Sequence, residues 1–135
     1  MSERIQNFKD LDVWKKAHQL AKEIFLLTDA FPKSYQFNVT SQLRRAALSV
    51  PTNLAEGSAA AHSKELIQFV GISKRSVSEV QYLLLFAQEQ GLLTLEQYRV
   101  LSDRYEEVDR MLGGLRRSLN RRTGLTRHSA LTTRH

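Results

Sequence analysis

Five polar residues recur at helical steps along one stretch of the chain: Gln42, Arg45, Ser49, Asn53 and Glu56. A carboxylate and a guanidinium on one helix face are the raw material for acid–base work, with Glu56 taking a proton and Arg45 holding an anion. Nothing beside them supplies a nucleophile or an electrophile. The chain has no cysteine, which excludes a thiolate nucleophile and a thiolate metal site. It also lacks H-E-x-x-H, G-x-x-x-x-G-K-[ST], G-x-G-x-x-G and G-x-S-x-G patterns. A di-metal carboxylate site needs Glu-x-x-His, and no acid stands three residues before His18 or His62. The expectation is a protein that is not an enzyme and has no cofactor or metal.

The same stripe admits two other uses. It is the wet side of an amphipathic helix, or it lies in a crowded interface, to which its single acid, its amides and its small Ala and Ser neighbours are suited. In an interface Arg45 and Glu56 need partners, because a buried unpaired charge costs several kcal/mol. Gln42, Arg45, Asn53 and Glu56 are therefore candidate subunit-interface residues. Arg44, next in sequence, is expected to be free.

Charge gives a second candidate chemistry. The net charge of +6 is unevenly placed: residues 1–115 carry equal numbers of basic and acidic side chains, whereas residues 116–135 carry six arginines and no acid. The basic pI near 9.9 thus belongs to one end. An arginine-rich end suits the phosphates of RNA or DNA. Arg44, Arg75, Arg116, Arg117, Arg121 and Arg122 are the candidate nucleic-acid contacts.

The elements that must carry these groups read as helices throughout. Trp14, Ala17, Ala21, Ile24, Phe25 and Thr28 form one apolar stripe, begun by Asp10 or Asp12 as cap and ended by Phe31-Pro32. His18 sits a step off it as a partly buried residue. After a linker, KSYQF, a second stripe runs through Val39, Leu43, Ala46, Ala47, Val50 and Leu54. Pro51 lies inside it and predicts a kink, with the freed carbonyl of Ala47 met by Ser49, Thr52 or water. A turn at residues 57–62 leads to a third stripe from Leu66 to Ala87, capped by Ser63 and closed by Gly91. Thr94 and Gln97 form a capping box for a fourth, Tyr98 to Leu119, in which Gly113-Gly114 implies close packing or fraying. Four helices joined by short loops predict an all-α, antiparallel up-down-up-down four-helix bundle over residues 1–120 and a flexible Arg-rich tail over residues 121–135.

Near its end the third helix reads VQYLLLFA, apolar around most of its circumference. Tyr82, Leu83 and Phe86, with Leu85, exceed the one buried stripe that a small bundle needs, so self-association is the expected cover. No apolar run approaches the ~20 residues that span a bilayer, and the N-terminus has no apolar signal region, so a soluble protein is expected. With no cysteine, the cytoplasm is its natural home.

Three blocks carry a family resemblance: FKDLDVWKKA at 8–17, SQLRRAALSVPTNLAEGS at 41–58 and FVGISKRSVSEV at 69–80. They resemble the successive blocks of the 23S ribosomal RNA intervening-sequence proteins over residues 8–119. The middle block is the most specific, joining Gln42, Arg44-Arg45-Ala46-Ala47, Pro51, Asn53 and Glu56-Gly57 in one order. The resemblance implies a bundle that assembles as a homopentameric ring and whose molecular function is not established. A similar fold serves as the accessory protein of diversity-generating retroelements, a pentamer that binds nucleic acid and a reverse transcriptase, so such an enzyme is a further expected partner. This chain departs from the family in having Arg75-Ser76 where a Gly-Ser pair is common. That departure and the Arg-rich end favour phosphate binding.

Overall fold

The computed structural model describes residues 7–124. Four long helices account for most of them: α1 (Asp12–Thr28), α2 (Ser41–Ser58), α3 (Ser63–Glu89) and α4 (Leu95–Thr123). There is no strand among the described residues. The helices share one core, and α1 packs on α2 and α4, α2 on α3, and α3 on α4, consistent with a four-helix bundle. The core is mostly aliphatic, with Leu20, Ile24, Leu43, Leu54, Leu84, Leu112 and the ring of Tyr105 fully buried.

Helix starts depart from the capping expected at two places. Asp10 belongs to a single 3-10 turn, Phe8–Asp10, and Asp12 is the first residue of α1; neither caps it, since the residue at the cap is Leu11. The residue before α3 is His62, whose side chain makes no capping bond, and Ser63 is already helical. Thr94 and Gln97 do form the reciprocal capping box at α4. Gly91, at φ 80°, lets the chain reverse after α3 while the Leu92 N–H reaches back to the Ala87 carbonyl.

The expected linker KSYQF is itself helical. A 3-10 turn, Lys33–Tyr35, and a π turn, Gln36–Thr40, feed directly into α2. Pro51 is buried within α2, which continues past it to Ser58. The Ser49 hydroxyl does not turn back to Ala47; it meets the Ser76 hydroxyl of α3 at 2.7 Å. Gly57 sets how closely α2 and α3 meet, because a Cβ there would stand 2.8 Å from both Leu66 Cδ1 and Phe69 Cβ. Gly113 and Gly114 lie well inside α4, which runs unbroken to Thr123.

Arg121 and Arg122, expected in a flexible tail, thus occupy the last turn of α4, which ends at Gly124 with φ 66°. Residues 125–135, the rest of the expected tail, lie outside the described residues.

Candidate nucleic-acid and subunit interfaces

Charge divides α4 along its length. Its first half carries Glu96, Asp103, Glu106, Glu107 and Asp109 against Arg99 and Arg104. From Arg110 to the end every charged residue is an arginine: Arg110, Arg116, Arg117, Arg121 and Arg122. The helix dipole places partial negative charge at this end, so cations in the last turn are locally favoured.

Two of these arginines lie over glycines. Arg116, half-buried, passes α3 where a Cβ on Gly71 would be 3.9 Å from its Nη1. Arg117, exposed, folds over its own helix, its Nη1 3.4 Å from the Cβ position of Gly113. Lys74 Nζ lies 3.7 Å from that same position and pairs with Asp109 Oδ1 at 2.8 Å. Arg75 and Arg121 are exposed. The α3–α4 seam therefore carries Arg116, Arg117 and Lys74 beside Gly71 and Gly113, and the acid there, Asp109, is occupied by Lys74.

Arg44 does not join this group. Its Nε donates to Thr28 Oγ1 at 2.8 Å, and its Nη2 donates to the Phe25 carbonyl at 3.2 Å and to Asp29 Oδ1 at 2.8 Å. The guanidinium also lies 4.7 Å from the Phe25 ring centroid. Arg44 is thus a cap for the C-terminal end of α1, supplied from α2, where a carbonyl and the negative end of the dipole both welcome a cation. The expectation of a free, phosphate-seeking Arg44 is corrected on that ground.

The polar stripe of α2 splits in two. Asn53 turns inward to its own helix, donating to the Ser49 carbonyl and hydroxyl, and through Ser49 joins a seam with Ser76. Ser73 adds a bond to the Val50 carbonyl. Gln42, Arg45 and Glu56 stay exposed. Arg45 and Glu56 are eleven residues apart, about 16 Å along one helix, so a single chain does not bring them together for acid–base work.

On α3, Tyr82 is 63% exposed and Leu85 37%, with Phe86 half-buried beside them. Leu83 is corrected: at 6% exposure it belongs to the core. The reason is that α3 packs against both α2 and α4, which buries a wider arc than one stripe. His18 is also corrected, being exposed and stacked on Trp14 with ring centroids 4.6 Å apart.

Several pairings are not readable from spacing. Glu23 and Arg104 form a two-pronged pair between α1 and α4 at 2.6 and 2.8 Å, which holds the Glu23 carboxyl below its ordinary pKa chiefly through the Arg104 hydrogen bonds. Gln81 and Ser102 exchange two hydrogen bonds between α3 and α4. Tyr105 is wholly buried with an unpartnered hydroxyl, and that burial pushes its pKa above the ordinary phenol value. Among the described residues no His, Asp and Glu group is arranged to hold a metal, and no helix is long and apolar enough to cross a membrane.

The arrangement has a counterpart among solved structures. A protein of unknown function from the S23 ribosomal protein family of Bacteroides thetaiotaomicron superposes with a TM-score of 0.72 at 22% identity, covering 78% of this chain and 95% of that one. At that identity the likeness establishes the fold. No curated protein matches the sequence. The family model for the 23S rRNA-intervening sequence protein matches residues 9–114, spanning α1, α2, α3 and most of α4. The chain belongs to the 23S rRNA-intervening sequence protein family.

Proposed function

We propose that this chain is a non-enzymatic, oligomeric helical scaffold that holds RNA through the arginine-bearing end of α4. The observation that carries the reading is the α3–α4 seam, where Arg116 and Arg117 lie over Gly71 and Gly113 and the neighbouring acid, Asp109, is paired with Lys74. Arg75, Arg121 and Arg122 extend the same positive field. Phosphates are drawn to such a surface without regard to base sequence.

The bundle's course and assembly belong to the proposal. Gly57 faces Leu66 and Phe69 while Val50 faces Ser73, a pairing that rises on α3 as it falls on α2 and supports an antiparallel, up-down-up-down path. Exposed Tyr82 and Leu85 beside Phe86 support self-association, and we take the homopentameric ring implied by the family as its form. The cytoplasm, where a cysteine-free chain loses nothing to reduction, is the proposed compartment.

A second reading rests on Gln42, Arg45 and Glu56, which are exposed on α2 and whose side chains make no hydrogen bond or ion pair among the described residues. In that reading the stripe docks a protein partner, such as a reverse transcriptase, and the scaffold serves that enzyme.

Binding of a short structured RNA, followed by fluorescence anisotropy across a salt series, separates the two. The RNA reading expects log K to fall with log salt, and alanine at Arg116, Arg117, Arg121 and Arg122 to flatten the slope by about 0.7 to 0.9 for each phosphate no longer neutralised. A slope unchanged by all four substitutions overturns it.

A further inference from the structure

An open groove of about 640 Å³ runs along the outer seam of α1 and α2. Ala21, Phe25, Leu26 and Leu48 line it, and Leu26 and Leu48 are 73% and 47% exposed. A soluble surface seldom leaves leucines that open unless something covers them. Cations stand at its margin. Lys22 lines it, and Arg45 lies three residues before Leu48, where neighbours on a helix meet; Asp29 and Arg44 also line it, but they pair with each other. Neither Lys22 nor Arg45 has an ion-pair partner among the described residues.

The outer face of α3 carries the complementary shape and charge. Tyr82 and Phe86 stand one turn apart with ring centroids 6.5 Å from each other, forming a raised aromatic ridge. Glu79 lies three residues before the first ring and Glu89 three after the second, both exposed and both without an ion-pair partner among the described residues. An apolar groove edged by unpaired cations and an apolar ridge edged by unpaired acids thus occur on one molecule. They do not meet within it, because the ridge is on α3 and the groove is on the α1–α2 seam, and α3 packs on α2 and α4 by its other faces.

The geometry points to a head-to-tail contact in which the Tyr82–Phe86 ridge of one copy seats in the α1–α2 groove of the next. This deepens the oligomer reading above and rests on it, naming the two surfaces that meet. Each ring brings large apolar area to a groove of aliphatic and aromatic side chains, and edge pairing of Glu79 and Glu89 with Lys22 and Arg45 fixes the register. Because the two surfaces differ, the contact is heterologous, and every copy leaves one groove and one ridge open until a ring closes.

The absence of cysteine allows a clean test. Leu48→Cys and Tyr82→Cys are made singly and together; both side chains are substantially exposed, so circular dichroism is expected to show unchanged helix content. A short bismaleimide linker is then applied; covalent mass is read on a denaturing gel, and the native mass of the untreated protein by light scattering. The expected result is a ladder of covalent multimers from the double variant and loss of that ladder in either single variant, since groove meets ridge and never its own kind. Single variants that cross-link as well as the double overturn the head-to-tail contact. So does a double variant that is multimeric by light scattering yet fails to cross-link, and that outcome leaves self-association standing. A monomeric wild-type mass removes both.

Discussion

Replacing Arg44 by alanine removes three hydrogen bonds and a ring contact from the end of α1. Denaturant titration is expected to show a loss of about 1–2 kcal/mol, with RNA affinity unchanged, because the side chain serves the bundle and its charge already faces Asp29. Arg44→Lys restores little, since an ammonium cannot fork across a hydroxyl, a carbonyl and a carboxylate together. Tyr105 predicts the opposite sign. Its hydroxyl is buried without a partner, so Tyr105→Phe is expected to be neutral or to stabilise by up to about 1 kcal/mol. The pH profile comes from the raised pKa. Below the ordinary phenol value of 10.0 both folded and unfolded chains keep the proton, and above it the unfolded chain ionises while the buried phenol resists. Stability therefore falls as pH rises beyond about 10, and Tyr105→Phe is expected to lessen that fall in alkaline unfolding curves.

Two glycines within the helices separate packing from propensity. Alanine favours a helix over glycine by about 1 kcal/mol, so both substitutions gain on that count alone. At Gly57 the added methyl collides with Leu66 and with the Phe69 Cβ, which cannot swing away, and Gly57→Ala is expected to cost about 1–3 kcal/mol net. At Gly114 it meets only Arg117 Nη2 at 3.9 Å, and Gly114→Ala is expected to raise the melting temperature. Thermal unfolding of the two variants checks both signs. Helix identity is legible in the sequence because the 3.6-residue period of Leu43 to Leu54 or Leu101 to Leu119 is set by the backbone itself. Residues 33–40 are not, since Lys-Ser-Tyr-Gln-Phe shows no apolar period and winds as a lead-in to α2. Periodicity misplaces Leu83 for a related reason. It gives the direction of a buried face but not its width, and α3 is covered from two sides. Pairings such as Glu23 with Arg104 depend on how two helices are rotated and slid against each other, which no single stripe encodes.

For the whole molecule, the proposed RNA contact and the proposed subunit contact draw on different forces. Arginine–phosphate attraction is screened within about 10 Å at 0.1 M salt and within about 3 Å at 1 M, while apolar burial persists. Raising salt to about 1 M is thus expected to release RNA and leave the multimer whole, as light scattering combined with ultraviolet absorbance would register. The candidate site is legible in part: the sequence places Arg116, Arg117, Arg121 and Arg122 at one end, and the chain folds the last two into α4. The approach of Arg116 to Gly71 is hidden, because the two are far apart in sequence and meet only when α3 and α4 pack.

The split charge of α4 has a consequence for any closed ring built from this chain. Rotation about a ring axis carries every copy's arginine end to an equivalent position, so such a ring repeats the proposed RNA contact once per copy at one distance from its axis. A strand held by one copy is presented to the next at high effective concentration, and feeble individual grips add to firm retention. Avidity of that kind depends on ligand length: an RNA too short to bridge two copies is expected to be released readily, and one long enough to reach the next copy to be kept.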